Sequence, residues 1–572
     1  MKRGFSIIVS FVLLLTLALT GCGGGTKETG ESGNQKSSGN SGNNILHVNN
    51  SSEPGSLHPA KSQGTHDSWP LRHLFVGLTM KEPKGNTGDF EIKGAMAKDG
   101  WKISPDKKTY TFELRDGLKW SNGDPLTAHD FEYAWKYALN PATASEYAYQ
   151  LYYIQGAEQY NSSKEKDPAK LKALEDKVAV KAKDDKTLEV KLVNPTPYFD
   201  ELVSFYTYFP VNKKVQEQNP NWANEAKTFV SNGPFKLTEW KHKDSMKMVK
   251  NENYFEKDRI KLAGIDWTMV ESENTAWQMY RSGQLDLSYP LPGDVVGQLK
   301  AQNAPDFKIV PEYATYFYRF NTQKKPFTNV KVRKALTMAI DRKTITESIA
   351  QGGQKPAFAL VAEGSKDANG KDDFRQVGGD YFKEDVTEAK KLLAEGLKEE
   401  GMDKMPKFNI MYNNNDLHKR IAEAIQEMWR NNLGVDVGIE NVEFQVKIDR
   451  EHKLDYDVAR AGWIADFIDP MTFVDMFTSV STQNDTGWKS QAYDAEVNQA
   501  KKSSNAEVRM AAMHKAEDII MKDMPILPIY FYTKAYTLKE NVTGVFTPPD
   551  EYPVLKYAKF VDEKDKKNKE KQ

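Results

Sequence analysis

The sequence predicts a large globular protein that mixes strands and helices over several domains. Three observations carry that expectation. Hydrophobic residues make up 39% and charged residues 28% of the 572-residue chain, the balance of a folded protein with a well-hydrated surface. Short alternating apolar runs, which suit half-buried strands, are interspersed with stretches of helical apolar spacing. At about 150 residues per domain, the length suggests three or four domains. Formal net charge is −1, so no global field recruits nucleic acid or acidic lipid. Tyr and Trp, at 26 and 11 residues, exceed what cores alone demand and suit a binding cleft.

At the amino end, Lys2 and Arg3 precede an apolar run from Ile7 to Leu19. That run is too short to span a bilayer comfortably and fits a signal peptide, and no second run reaches spanning length. Leu19-Thr20-Gly21-Cys22 resembles the lipobox of bacterial lipoproteins, where cleavage precedes a Cys that becomes lipidated. The resemblance implies removal of residues 1–21 and lipidation of Cys22. Cys22 is the only cysteine, so no intrachain disulfide can form. From Gly23 to Asn44 no apolar residue occurs, which predicts a flexible tether reaching roughly 25 Å.

Folded structure is expected from Ile45 to Val48. Glu53 to Pro59 is irregular with two prolines, and a helical pattern then runs through Trp69, Leu71, Leu74, Phe75 and Leu78. Thr109 to Leu114 alternates as a strand, turned by Arg115-Asp116-Gly117. Ser121-Asn122-Gly123-Asp124-Pro125 is a dense turn, and Thr127 to Asp130 reads as a helix start. Val178 to Val180 and Leu188 to Leu192 flank Asp184-Asp185-Lys186 as a hairpin, with a domain boundary near Asn194-Pro195. Ser231 to Phe235 turns into another strand. Ala314 to Asn321 alternates Tyr316, Tyr318 and Phe320 against Phe317 and Arg319. A helix near Asn329 follows, with Val332, Leu336, Ala339 and Ile340 on one face. After a strand at Phe408 to Asn413, Asp416 can cap a helix whose apolar face holds Leu417, Ile421, Ile425, Met428 and Trp429. A last helix, Asn505 to Asp523, stops before Pro525. Pro528 to Tyr532 is a buried strand, and the charged tail from Val561 frays.

The most informative stretch is Ala459-Arg460-Ala461-Gly462-Trp463-Ile464-Ala465-Asp466. Arg460 and Asp466 flank Trp463 in an otherwise apolar run, and such charges are seldom buried without a compensating partner. Two readings stand open: an internal ion pair behind a core Trp, or two charges facing a ligand. No catalytic motif competes. Gly-x-Ser-x-Gly, His-Glu-x-x-His and Gly-x-Gly-x-x-Gly are all absent, and the nine His include no pair at metal-ligand spacing, so neither enzyme nor metal or cofactor chemistry is expected.

Arg-Ala-Gly-Trp-x-Ala-Asp resembles the ligand-site segment of oligopeptide-binding proteins, the extracellular solute-binding components (family 5) of peptide ABC importers. The block Leu118 to Phe131 resembles that family's most recognisable segment, and further blocks match in order over residues 45–560. The resemblance implies an α/β, bilobal, periplasmic-binding-protein-like fold with an extra domain and the ligand between lobes. Lobe 1 would comprise 45–85, 196–290 and 535–572, the extra domain 86–195 and lobe 2 291–534, after a signal peptide at 1–21 and a lipidated tether at 22–44. It also implies the site. Asp466 would hold a peptide's α-ammonium, beside Gly462, Trp463 and the acidic Asp67. Arg460 would meet the carboxylate of short peptides, Lys324 of intermediate ones and His418 of longer ones. Tyr147, Tyr289, Phe444, His452 and Tyr532 would line the pocket. One departure stands out: Glu451 occupies the place of an expected Arg, so either Arg450 slips into the pocket or the pocket has changed sign. The implied partners are short peptides, a membrane-embedded ABC permease and, through Cys22, the outer face of a cell membrane. The chain would act as a monomer. Alternatives are a same-fold receptor for a murein peptide, a nickel complex or an oligosaccharide, and more remotely a lipid-anchored hydrolase.

Overall fold

The computed structural model describes residues 44–85 and 88–561. The signal-peptide, lipidation and tether expectations, with Cys22, lie outside the described residues, as does the charged tail from residue 562. Two large sheets organise the rest. In the first, Ile45–Asn49 pairs parallel with Gly264–Thr268, followed by antiparallel Ser245–Lys250 and Phe235–Lys241. Leu46, Ile265, Met248 and Leu237 form one cross-strand row, and all four are buried. A one-residue slip would turn that row to solvent, so the alternation fixes the register.

The second sheet runs in the order Leu287–Ser288, Ile526–Leu538, Phe307–Phe320, Val458–Ile464, Phe408–Asn413, Val437–Val442. Its central strand starts seven residues before the expected Ala314 and is buried on both faces. Tyr316, Tyr318 and Phe320 enter one core, Tyr313 and Phe317 the other. The first of these cores takes Val332 and Leu336 from helix Val330–Met338, capped by Asn329, and Ile421, Ile425 and Trp429 from helix Asp416–Leu433. The latter helix joins two parallel strands, as a parallel crossover requires.

A smaller sheet, Lys102–Ile103, Thr109–Glu113, Thr187–Lys191, Val180–Ala182, contains the expected hairpin. Helix Ala128–Leu139 packs on it and begins where the turn signal placed it, the Thr127 amide donating to Asp130 Oδ2 at 2.9 Å. Two expectations are corrected. The helix expected to reach Leu78 is Thr65–Leu74, and Phe75 is already extended, because the apolar residues beyond it fill the core as extended chain. Asn415 rather than Asp416 caps the helix after Phe408–Asn413, its Oδ1 accepting from the His418 amide at 2.9 Å.

Two features of the large sheet position the site. Val458–Ile464 pairs with Phe307–Phe320 along its whole length but with Phe408–Asn413 only through Val458 and Ala459. From Arg460 to Ile464 its other edge therefore opens into a cavity. The chain also crosses between the two sheets twice at one place. Leu287 and Ser288 pair with Leu538 and Thr537, while Asp286 donates to His47 O at 2.8 Å and accepts from the Lys539 amide at 2.9 Å.

Candidate functional site

A cavity of about 290 Å³ lies along that open edge, walled by strands of the second sheet and by residues that follow two strands of the first, Asn50 to Ser52 and Glu271. Gly462 makes room for it. A Cβ there would sit 2.8 Å from Tyr532 Oη, so only glycine lets the Tyr532 ring lie across the strand. Arg460 reaches to the same ring, its Nη2 donating to Tyr532 Oη at 2.6 Å, and its guanidinium stacks 4.6 Å from the Tyr316 ring centre. Its Nε is buried without a hydrogen-bond partner among the described residues.

Beyond Ile464 the strand breaks, and Thr472 Oγ1 holds the turn by accepting from the Asp466 amide at 3.0 Å and from Trp463 Nε1 at 3.2 Å. Asp466 is buried, 8% exposed as a residue, and its carboxylate accepts from Gln150 Nε2 at 2.6 Å. Among the described residues no ion pair joins Arg460 to Asp466, so the reading of an internal pair behind Trp463 is not what the fold adopts. Burial pushes the Asp466 carboxyl up to about 8, opposed chiefly by the charge of Arg72. Tyr147 stacks on Trp463 with ring centres 6.3 Å apart and meets Tyr206 edge-on at 5.4 Å, building an aromatic box beside the carboxylate. A buried carboxylate bonded to an amide rather than a cation and flanked by aromatic faces is a place to put a cation.

The next charges are already spent. Arg72 donates to Glu551 Oε1 at 2.9 Å, and Lys81 pairs with Asp550, Glu201 and Glu551. Farther along, Arg319 lies 2.8 Å from Asp485 and 3.3 Å from Glu451, and Lys447 donates to Glu451 at 2.5 Å. His452 bonds Asp485 at 2.8 Å and Gln63 at 3.2 Å. Arg450 turns away to Glu440 at 2.6 Å and Asp455 at 3.0 Å. The register therefore has not slipped. Glu451 faces the cavity, but Arg319 and Lys447 neutralise it, so the expected change of sign is corrected as well. Burial lowers Lys447 to about 8, the cost of holding that pair out of water.

His418 lines the cavity, 3.3 Å from Tyr316 Oη, and burial with the nearby Arg460 holds its imidazole well below its ordinary pKa. A neutral ring can donate or accept, but it brings no charge to an anion. Phe444 meets His66 edge-on at 4.6 Å, and Tyr289 meets Tyr552 at 5.0 Å; both line the same space.

Two expected members lie elsewhere. Lys324 pairs with Asp457, and its side chain is 55% exposed in a loop outside the cavity wall. Asp67 turns its carboxylate to the backbone, accepting from the Gly55 amide at 2.6 Å and the Gln63 amide at 2.9 Å. It fastens the irregular 55–63 loop and does not line the cavity. Arg72, Gln150, Glu312, Arg319 and Lys447 belong to the site without having been singled out as ligand contacts. The open strand edge was equally invisible, because it depends on how far another strand pairs.

Residues 91–485 match the model of the bacterial extracellular solute-binding proteins, family 5 Middle. The oligopeptide-binding protein OppA of Bacillus subtilis (strain 168) is 44% identical, over 96% of this chain and 98% of its own. The peptide-bound OppA of Listeria monocytogenes superposes with a TM-score of 0.83 at 31% identity, covering 91% of this chain and 100% of that one. The Escherichia coli murein tripeptide binding protein MppA gives 0.81 at 30% identity, covering 91% and 98%. Against MppA in its unliganded open form the score is 0.60, at 30% identity with 92% and 98% covered. The same sequence-level likeness with a lower superposition means that the parts of this structure are not arranged as in that open form. With an α/β bilobal fold, a cavity along an open strand edge and these relatives, the chain belongs to the bacterial extracellular solute-binding proteins of family 5.

Proposed function

We propose that this protein captures short peptides between its lobes and delivers them to a membrane-embedded ABC permease, while Cys22 anchors it as a monomer to the outer face of the cell membrane. The observation that carries the reading is Asp466, a buried carboxylate held by an amide rather than a cation, at the end of an unpaired strand edge. A peptide lying along Arg460–Ile464 completes the sheet with its main chain, so affinity comes from groups that every peptide shares. Its α-ammonium replaces the missing cation at Asp466, between Tyr147, Tyr206 and Trp463. Its carboxylate goes to Arg460 when the peptide is short, with neutral His418 as a hydrogen-bond partner for longer ones. The relatives named for oligopeptides and the peptide-bound neighbour support the same ligand class.

Release requires the lobes to part. Segments 45–85, 196–290 and 535–572 would move against 291–534, hinged where the chain crosses beside Asp286 and Lys539, with 86–195 carried on the first lobe. The bonds from Gln150 to Asp466, Asn414 to Glu271 at 2.7 Å and Asn415 to Glu273 at 2.6 Å would break on opening.

Native mass spectrometry of the purified protein tests the ligand class: a distribution of co-purified peptides is expected, and a single non-peptide ligand would overturn it. Cys22→Ala should release a folded, unlipidated protein from the membrane fraction. A variant that stays lipidated would end the anchor assignment.

A further inference from the structure

Among the described residues, eight carboxylates but only four Lys or Arg side chains line the cavity. Seven of the eight carboxylates accept a hydrogen bond from a Lys, Arg, Asn or Gln side chain. Glu312 is the exception. Its side chain is fully buried, yet neither of its oxygens accepts a hydrogen bond among the described residues. Lys534 forms a buried ion pair with it at 3.6 Å, a distance that partly offsets its charge but is too long for a hydrogen bond. Its ammonium donates instead to the carbonyls of Pro548 at 2.6 Å, Glu551 at 2.9 Å and Pro549 at 3.3 Å. A carboxylate taken out of water without a hydrogen bond is destabilised unless something supplies the bond. Glu312 is itself one of the residues that line the cavity.

The surroundings say what kind of group fits. Tyr289, Tyr532 and Tyr552 are close enough to feel the Glu312 charge, and phenol faces attract cations more than neutral donors. A bound peptide's own termini cancel, so they leave the acidic excess of the wall where it was. Burial raises the Glu312 carboxyl, and an arriving cation would offset that penalty. Glu312 also lies near the amino end of the proposed ligand. The Ala465 amide donates to Tyr313 O at 2.9 Å, and Ala314 pairs with Ile464, which sets Glu312 level with the Asp466 turn.

Building on the peptide-binding reading, we propose that Glu312 is a specificity-determining residue that selects peptides carrying a Lys or Arg side chain among their first three positions. The side chain threads between the tyrosines, its cation donating to the vacant Glu312 oxygens. This gives the cavity a side-chain preference on top of the main-chain recognition common to all peptides.

The test is calorimetric titration of wild type and Glu312→Gln with Lys-Ala-Ala, Ala-Lys-Ala and Ala-Ala-Lys, each beside its norleucine counterpart, which keeps the stem and lacks the ammonium. At one position Lys should bind at least tenfold tighter than norleucine to wild type, and Glu312→Gln should bring that ratio to within about twofold. No preference at any position overturns the proposal, as does a preference that survives in Glu312→Gln. The wild-type series decides by itself if Glu312→Gln does not fold, and the double variant Glu312→Gln/Lys534→Met, which removes both charges, repeats the ratio. Binding of the norleucine peptides without preference would refute only this inference. Absence of binding by every peptide would refute the peptide reading itself.

Discussion

Asp466 and Glu451 are two buried carboxylates in one cavity, and their partners set them apart. Glu451 lies between Lys447 and Arg319, so its charge is satisfied before any ligand arrives. Asp466 has an amide at 2.6 Å and an aromatic box, so its charge waits for a cation. Burial alone therefore does not single out a candidate ligand contact; burial without a bonded cation does. The predictions below break or sharpen that contrast.

Asp466→Asn should give the largest effect. Losing one partner of a desolvated ligand pair costs about 2–5 kcal/mol, so calorimetry should show affinity for free-amine peptides falling by roughly 30-fold to several thousand-fold. The unliganded protein should melt no lower than wild type, since the variant removes an uncompensated carboxylate.

Glu451→Gln should do the reverse. Breaking a buried pair and stranding Lys447, while Arg319 keeps Asp485, costs about 3 kcal/mol of stability, read by denaturant unfolding. The ligand's preference between Lys and Glu side chains should hardly change, because the Glu451 charge is already consumed. A large swing in that preference would mean that Glu451 meets ligand side chains after all.

A pH series comes next. The folded Asp466 carboxyl sits at about 8 against an ordinary value near 4, so the folded state holds this proton more tightly than the unfolded one. Its contribution to stability is thus complete below about pH 4 and is lost as pH rises towards 8. Glu201 and Glu273, each raised to about 8 by burial, act in the same direction. Binding an ammonium needs the ionised form. Peptide affinity should therefore climb by up to about tenfold per pH unit below 8, then turn over as the peptide's own amine deprotonates near 8. Titrations in buffers of different ionisation enthalpy should show a proton released on binding, and Asp466→Asn should abolish that release.

Lys324→Ala should do least. An exposed pair with Asp457 is worth at most about 1 kcal/mol, and the loop lies outside the cavity, so affinity for peptides of every length should stay within about twofold.

The same contrast explains what the sequence revealed. Gly462, Trp463 and Asp466 were singled out because the segment Arg-Ala-Gly-Trp-x-Ala-Asp resembles a family segment and puts two opposite charges around a Trp within one short stretch. The 180–191 hairpin and the helix starts at Thr127 and Asn329 were legible because their determinants are local turn and cap chemistry. Asp67 and Lys324 misled because a charged side chain's direction is set by whatever lies beside it. Asp67 found loop amides 4 and 12 residues away, and Lys324 found Asp457. The Arg319–Glu451–Asp485 cluster joins residues up to 166 apart in the chain, and no spacing rule spans that distance. Glu312 has no local signal at all. It stands out only once the hydrogen bonds of every other carboxylate are known.

The most direct test of the central claim compares a tripeptide with its N-acetylated form by calorimetry on wild-type protein and on Asp466→Asn. The account predicts that acetylation costs wild type at least about 30-fold in affinity and costs Asp466→Asn almost nothing, since both changes remove the same ion pair. Equal binding of the acetylated and free peptides to wild type would show that Asp466 holds the fold rather than the ligand.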